Sequence, residues 1–189
     1  MIFSRLVIGY HGCDKDIARR VINGEIELTP HSHDYDWLGE GVYFWEDSCA
    51  RAWQWAEDRK RSGQITTSAV IGAVIDLGNC LNLIDSGAIA IVAEAHRTYL
   101  NACQMTGAKP KCNRGRDLKA RYLDFEVFNT LHALRKKEGK TSYDTIRAFF
   151  TEGSAIYKGA GLRAEDHIQI AVRDTTRCVV GYFLPRPGS

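Results

Sequence analysis

The stretch LGEGVYFWE, residues 38–46, decides how this chain is read: a glycine-bounded turn leads into an apolar, aromatic strand that ends on an acid. Two other short strand-like segments stand with it, YHGC at 10–13 and HIQIAVRD at 167–174. They carry His11, Tyr43 and Gln169, an imidazole, an aromatic ring and an amide. If the three segments converge, they can hold one ligand by hydrogen bonds and stacking, as a nucleotide site does.

Working outward, residues 5–10 read as an apolar strand ending at His11. Ile17, Ala18, Val21 and Ile22 give a helical pattern over 14–23 that stops at Gly24. Residues 30–41 are a polar, glycine-containing loop with Tyr35 and Trp37, before a strand at 42–45. Asp47 or Ser48 is the expected cap for a helix over 49–61, with Ala52, Trp55, Ala56 and Arg59 sharing one face and Trp53 on the other. AVIGAVIDLG, 69–78, is a buried strand. Helices are expected at 86–104 and 116–137, followed by a short helix at 142–148 and a glycine-rich link at 153–161. Strands at 167–173 and 177–184 close the chain, with Thr175 and Thr176 at the turn between them.

Strand groups separated by helices describe an α+β chain, and 189 residues suit a single domain over 1–189. No GxGxxG follows the first strand, so a Rossmann reading has no support. Hydrophobic residues at 44% and charged residues at 25% are ordinary for a globular protein. No apolar run approaches the ~20 residues needed to span a bilayer. The opening MIFSRLVIGYHG reads as a strand instead of a signal peptide, so no membrane association and a cytoplasmic location are expected.

Cys13, Cys49, Cys80, Cys103, Cys112 and Cys178 lack metal-ligand spacing and read as reduced structural thiols. His31 and His33 have no Cys or His partner nearby in sequence, and no metal is expected. A formal charge of +2 excludes an all-over electrostatic grip on nucleic acid. Two local clusters remain, Arg114, Arg116, Lys119 and Arg121, and Arg135, Lys136, Lys137 and Lys140. They read first as solvated helix ends and otherwise as a docking face for RNA or an acidic protein.

His11 before Gly12 on an early strand, Tyr43 on a second strand followed by a helix, and a polar residue on a late strand resemble the ADP-ribosyltransferase superfamily. The branch is that of diphtheria toxin and the poly(ADP-ribose) polymerases. Its third residue is a Glu, where this chain has Gln169. The resemblance implies an ADP-ribosyltransferase fold, with split antiparallel sheets around an NAD cleft and flanking helices, and NAD as co-substrate. It implies His11, Tyr43 and Gln169 as catalytic residues, with His11 on the adenosine ribose and Gly12 on the nicotinamide carboxamide. Tyr43 and Trp55 would form the walls, and Tyr35 and Arg163 would complete the cofactor contacts, with Arg51 a further phosphate candidate.

Cleaving the nicotinamide–ribose bond builds positive charge on the sugar, which a carboxylate stabilises and an amide can only orient. Gln169 therefore stays open between three readings. It works in a slower or substrate-assisted transferase, a carboxylate such as Glu126, Glu165 or Asp166 completes the site, or the chain binds without turnover. The expectation is a mono-ADP-ribosyltransferase acting on RNA or protein, with RNA slightly favoured. It resembles bacterial toxins of toxin–antitoxin or anti-phage systems, which implies a neutralising antitoxin protein as partner. An NAD glycohydrolase and a silent NAD or ADP-ribose module are the alternatives.

Overall fold

The structure is a computed structural model that describes residues 5–30, 33 and 36–186. Its first turn of chain joins two elements through one side chain. Asp14 ends β1 (Leu6–Asp14) and caps α1 (Lys15–Ile22), accepting from Asp16 N at 3.0 Å. The same carboxylate accepts from Thr66 N and Thr67 N at 2.7 and 3.1 Å, which ties that corner to the start of β3 (Ser68–Asp76). These backbone donors favour the ionised form and hold the Asp14 carboxyl below its ordinary pKa.

Between them lie β2 (Val42–Glu46) and α2 (Cys49–Arg61). Ser48 occupies the cap position of α2 without a side-chain bond, and Asp47 is left-handed at φ 51, so neither caps the helix by its side chain. Then follow β4 (Cys80–Asn82), α3 (Ser86–Thr106), α4 (Tyr122–Lys137), β5 (Thr145–Phe150), β6 (His167–Val172), the single turn α5 (Thr175–Cys178) and β7 (Val179–Phe183). The chain is a mixed α/β structure, and the seven strands among the described residues run in the order β4-β5-β6-β2-β1-β3-β7. Among the described residues, only β4 and β5 pair in parallel.

Two expected helices are corrected. The sequence pattern predicts a helix over 142–148, yet 145–150 form β5 inside the sheet between β4 and β6. Burial on both faces removes the alternation that marks a strand. Arg147, which looks like a surface charge, is buried and bidentate to Glu46, with its NH2 nitrogen 2.7 Å from Oε1. The helix expected from 116 begins at Tyr122. Asp117 and Leu118 are left-handed, and Arg114 and Ala120 pair through their backbones, so this segment is a closed loop and not a first helical turn. α4 is capped from that loop: Asn113 Oδ1 accepts from Leu123 N and Asp124 N.

The sheet separates the cores. One face packs Val42, Phe44, Ile71, Ile75 and Ile170 against Ala18 and Val21 of α1. On the other face, α4 and α3 cover the β4–β6 half through Val127, Phe128, Leu131 and Ala95, while α2 covers β1 and β3 around Trp45, Ala52 and Val70. A gap between these two helical covers is left over the middle of the sheet. Among the described residues, no helix is long and apolar enough to cross a membrane. None of the six cysteines is in a disulfide; Cys112 is exposed, Cys80 half-buried and the rest buried.

Candidate functional site

Strand pairing opens the site. β1 and β3 pair along their length, from Leu6↔Asp76 to Asp14↔Ser68, whereas β1 and β2 share only Gly9↔Glu46 and Tyr10↔Trp45. Beyond Tyr10 the two strands part, so the sheets expected to be separate are one sheet with a narrow central join that splays into a cleft.

The hydrogen-bond alternation of an antiparallel ladder shows which groups face that cleft. Lys15 N donates to Thr67 O and Leu77 N to Arg5 O, so the odd-numbered residues of β1 exchange bonds with β3. The even-numbered ones turn their N–H and C=O the other way, and Ile8 O duly accepts from Asp47 N at 3.0 Å. Gly12 is even-numbered and lies past the last β1–β2 pair, so both its backbone groups point into the opening. Only glycine fits there: a Cβ would lie 2.5 Å from Ala52 O and 3.1 Å from the Trp55 ring.

His11 sits in the same gap, its Nδ1 2.8 Å from Tyr43 O. A carbonyl only accepts, so Nδ1 carries the proton. The cavity here is about 640 Å³, within the range of small-molecule sites. His11, Gly12, Tyr43, Trp55 and Gln169 all line it. Gln169 is on β6 directly opposite Trp45 of β2, which sets its side chain on the same face as Tyr43.

Tyr43 holds the rim as well as the floor. Its hydroxyl donates to Gly39 O at 2.6 Å and accepts from Leu38 N at 2.8 Å, which fixes the glycine turn. Burial, reinforced by the negative charge of Asp36, raises the phenol pKa well above its ordinary value, so it stays protonated. Trp55 stands 5.9 Å from Trp45 and 6.5 Å from His11, centroid to centroid. One of its faces carries the Arg59 guanidinium at 4.6 Å, so the remaining face and edge are what it can offer a ligand.

The rim opposite Arg59 is ionic. Arg51 lies 3.1 Å from Glu152 and 3.6 Å from Glu165, and Lys119 Nζ lies 2.8 Å from Glu152, whose side chain is only 11% exposed. Gln54 donates to Glu165 at 3.2 Å. His167 is buried, with Nδ1 2.7 Å from Glu165 O. Desolvation lowers its pKa and favours the neutral ring.

Of the residues read from sequence, the structure brings together His11, Gly12, Tyr43, Trp55, Gln169 and Arg51. Arg163 is not among the lining side chains; its guanidinium donates to Gly153 O and its N–H to Asp166. Tyr35 and His31 lie outside the described residues. Among the carboxylates considered, Glu165 lines the cleft, Asp166 accepts from the Glu152 and Arg163 backbone, and Glu126 is on α4 away from the lining.

The sequence gives no signal for Trp45, whose buried indole N–H has no partner among the described residues, or for Glu152, which comes from a loop without periodicity; Lys119, expected in a basic cluster on a helix, lines the cleft from a loop. Trp53 is exposed on the far face of α2, as its helical phase predicts. Trp37, from the loop before β2, packs under Arg121 at 4.1 Å and edge-on to Phe150 at 4.6 Å. Its indole donates to Lys119 O. Arg135 donates to Thr141 O and lies over Tyr143, which closes the end of α4. Among the described residues, no group of three or more His, Cys, Asp or Glu side chains is placed to hold a metal ion.

Compared with known proteins, the chain matches no family model and no solved structure. It is similar to an uncharacterized protein of Methanocaldococcus jannaschii, 32% identical over 76 residues, which are 40% of this chain and 35% of that protein. The chain thus matches about a third of the length of that relative.

Proposed function

We propose that the chain is an NAD-dependent mono-ADP-ribosyltransferase with an ADP-ribosyltransferase-type fold, cleaving NAD and passing ADP-ribose to a macromolecule. The observation that carries this reading is the outward-turned peptide edge of Gly12, in the strand gap beside His11 and in one cavity with Tyr43, Trp55 and Gln169. A carboxamide needs one donor and one acceptor side by side, which is what a free strand edge offers. His11 Nε2 accepts from an adenosine ribose hydroxyl, and the Gln169 amide oxygen accepts from the ribose next to nicotinamide.

The C1′–N bond breaks with its electron pair passing to the pyridine nitrogen, which loses its positive charge. An acceptor oxygen or nitrogen then bonds C1′ and gives up its proton to solvent. Glu165 is the lining carboxylate that most directly fits the missing negative charge, once released from Arg51. The acceptor is RNA or protein. The contacts already made by Trp37, Lys119 and Arg135 remove the advantage that the basic clusters gave RNA. The proposed setting, a cytoplasmic toxin or anti-phage effector held by an antitoxin, rests on the sequence resemblance alone.

A second reading, a binding module without turnover, is favoured by one observation: Arg51 engages both Glu152 and Glu165 while position 169 has no carboxylate. Incubation with NAD labelled in both halves separates the readings. Release of nicotinamide with label on added RNA or lysate protein supports the transferase, and release to free ADP-ribose indicates a glycohydrolase. Binding without release leaves the module, and no binding refutes the nucleotide site.

A further inference from the structure

We propose that Arg59 is the diphosphate contact of the cleft, so that the dinucleotide lies along α2 with its phosphates at the C-terminal end of that helix. This rests on the nucleotide reading above and adds a direction to it. Arg51, Trp55 and Arg59 are spaced by four on α2 and therefore share one face, and all three line the cavity. The two arginines differ in what already holds them. Arg51 is taken by Glu152 and Glu165, and Lys119, near the same carboxylates, by Glu152. A diphosphate there would have to displace a carboxylate that is itself largely buried.

At the other end, Arg59 lies over the Trp55 ring and bonds the side-chain oxygen of Gln64, a neutral amide. The neighbouring acid, Asp58, pairs with Arg61. Among the described residues, no carboxylate pairs with Arg59. Stacking on an indole orients the guanidinium plane, and phosphate oxygens match its N–H fork, in which the one bond to be exchanged is to the neutral Gln64 amide. The C-terminal end of a helix carries roughly half a negative charge, which opposes an anion. Arg59, Lys60 and Arg61 in the last turn outweigh it.

Position also fits. Arg59 is one helical turn beyond Trp55, about 6 Å along the axis. That is the kind of step a single ribose makes between a base beside Gly12 and Trp55 and its phosphate. The arrangement leaves the Glu152–Glu165 end of the cleft to the acceptor.

Calorimetry on the whole chain tests this with two probes, ADP-ribose, which has the diphosphate, and nicotinamide, which does not. Arg59→Gln is expected to weaken ADP-ribose by about 10- to 100-fold, the range of a charge-assisted hydrogen bond, and to leave nicotinamide unchanged. Arg59→Lys, which keeps the charge but not the fork, is expected to recover part of the loss. The thermal midpoint of each variant, unchanged from the parent, shows that the fold is intact. ADP-ribose affinity within twofold of the parent in Arg59→Gln overturns the inference while the nucleotide reading stands. A loss seen only for a short single-stranded RNA also overturns it, because the guanidinium would then serve the acceptor. If the parent chain takes up neither ADP-ribose nor NAD, the nucleotide reading falls and this inference with it.

Discussion

Replacing Gly12 by alanine adds one methyl group at the tightest point of the cleft. The new Cβ would lie 2.5 Å from Ala52 O, 3.1 Å from the Trp55 ring and 3.3 Å from the Ala56 methyl. Ala52 O belongs to the helix backbone and cannot rotate away as a side chain can. Restoring ordinary contact requires β1 and α2 to separate by about 0.9 Å, an overpacking that costs typically ~1–3 kcal/mol. The same movement carries Arg51, Trp55 and Arg59 away from the floor.

Urea unfolding should therefore show a lower midpoint at unchanged slope, and any ligand held by the Gly12 edge should bind more weakly. The control is Gly181→Ala on β7, another strand glycine, where an added Cβ meets nothing within 4 Å. That change should be neutral or stabilising by up to about 1 kcal/mol. If Gly12→Ala lowers stability by less than about 0.5 kcal/mol, the close approach of β1 and α2 is wrong, and with it the geometry of the cleft wall.

Tyr43→Phe deprives Leu38 N–H and Gly39 O of their shared hydroxyl and should cost about 1–3 kcal/mol in thermal or urea unfolding; parental stability would mean that the rim holds itself. His132 is buried, and neither ring nitrogen has a partner among the described residues; desolvation first, then the charges of Arg173 and Arg135, lower its pKa from 6.5 to about 4. The unfolded chain takes up a proton near pH 6.5 that the fold refuses until about 4, so this contribution is intact above pH 6.5 and is lost as pH falls through that window. It amounts to up to about 3 kcal/mol, and His132→Leu should flatten that part of the stability–pH curve; an unaltered slope would exclude His132 as its source. Gln169→Glu supplies the negative charge that an oxocarbenium-like state requires and should speed nicotinamide release about 100-fold, whereas unchanged kinetics would show that the side chain does not face the ribose.

β1, β2, β6 and α2 were legible because each shows its own period between glycine or polar breaks, and those elements carry most of the lining. His11, Gly12, Tyr43, Trp55 and Gln169 were legible with them, since a residue's place on a strand or helix follows from the element's phase. β5 was not, because a strand buried on both faces has no alternation and its charged residue, Arg147, finds its partner in Glu46, far away in sequence. Glu152 and Lys119 come from loops, where no period predicts direction. Arg163 failed for a related reason: proximity in sequence to β6 says nothing about which carbonyl its guanidinium reaches, and it reaches Gly153 O. The loop before α4 was misread because its apolar and basic residues continue a helical pattern, while a backbone pair between Arg114 and Ala120 overrides it.

The join between β1 and β2 has a mechanical side. Two rungs hold together panels that are otherwise sewn along their whole lengths, and the next rung would fall at Gly12. A guest whose amide meets that edge takes the place of the absent rung. Occupancy would then show as slowed amide exchange at the far end of β1, and departure as renewed breathing along the seam. Stiffness and cargo would draw on the same few peptide groups.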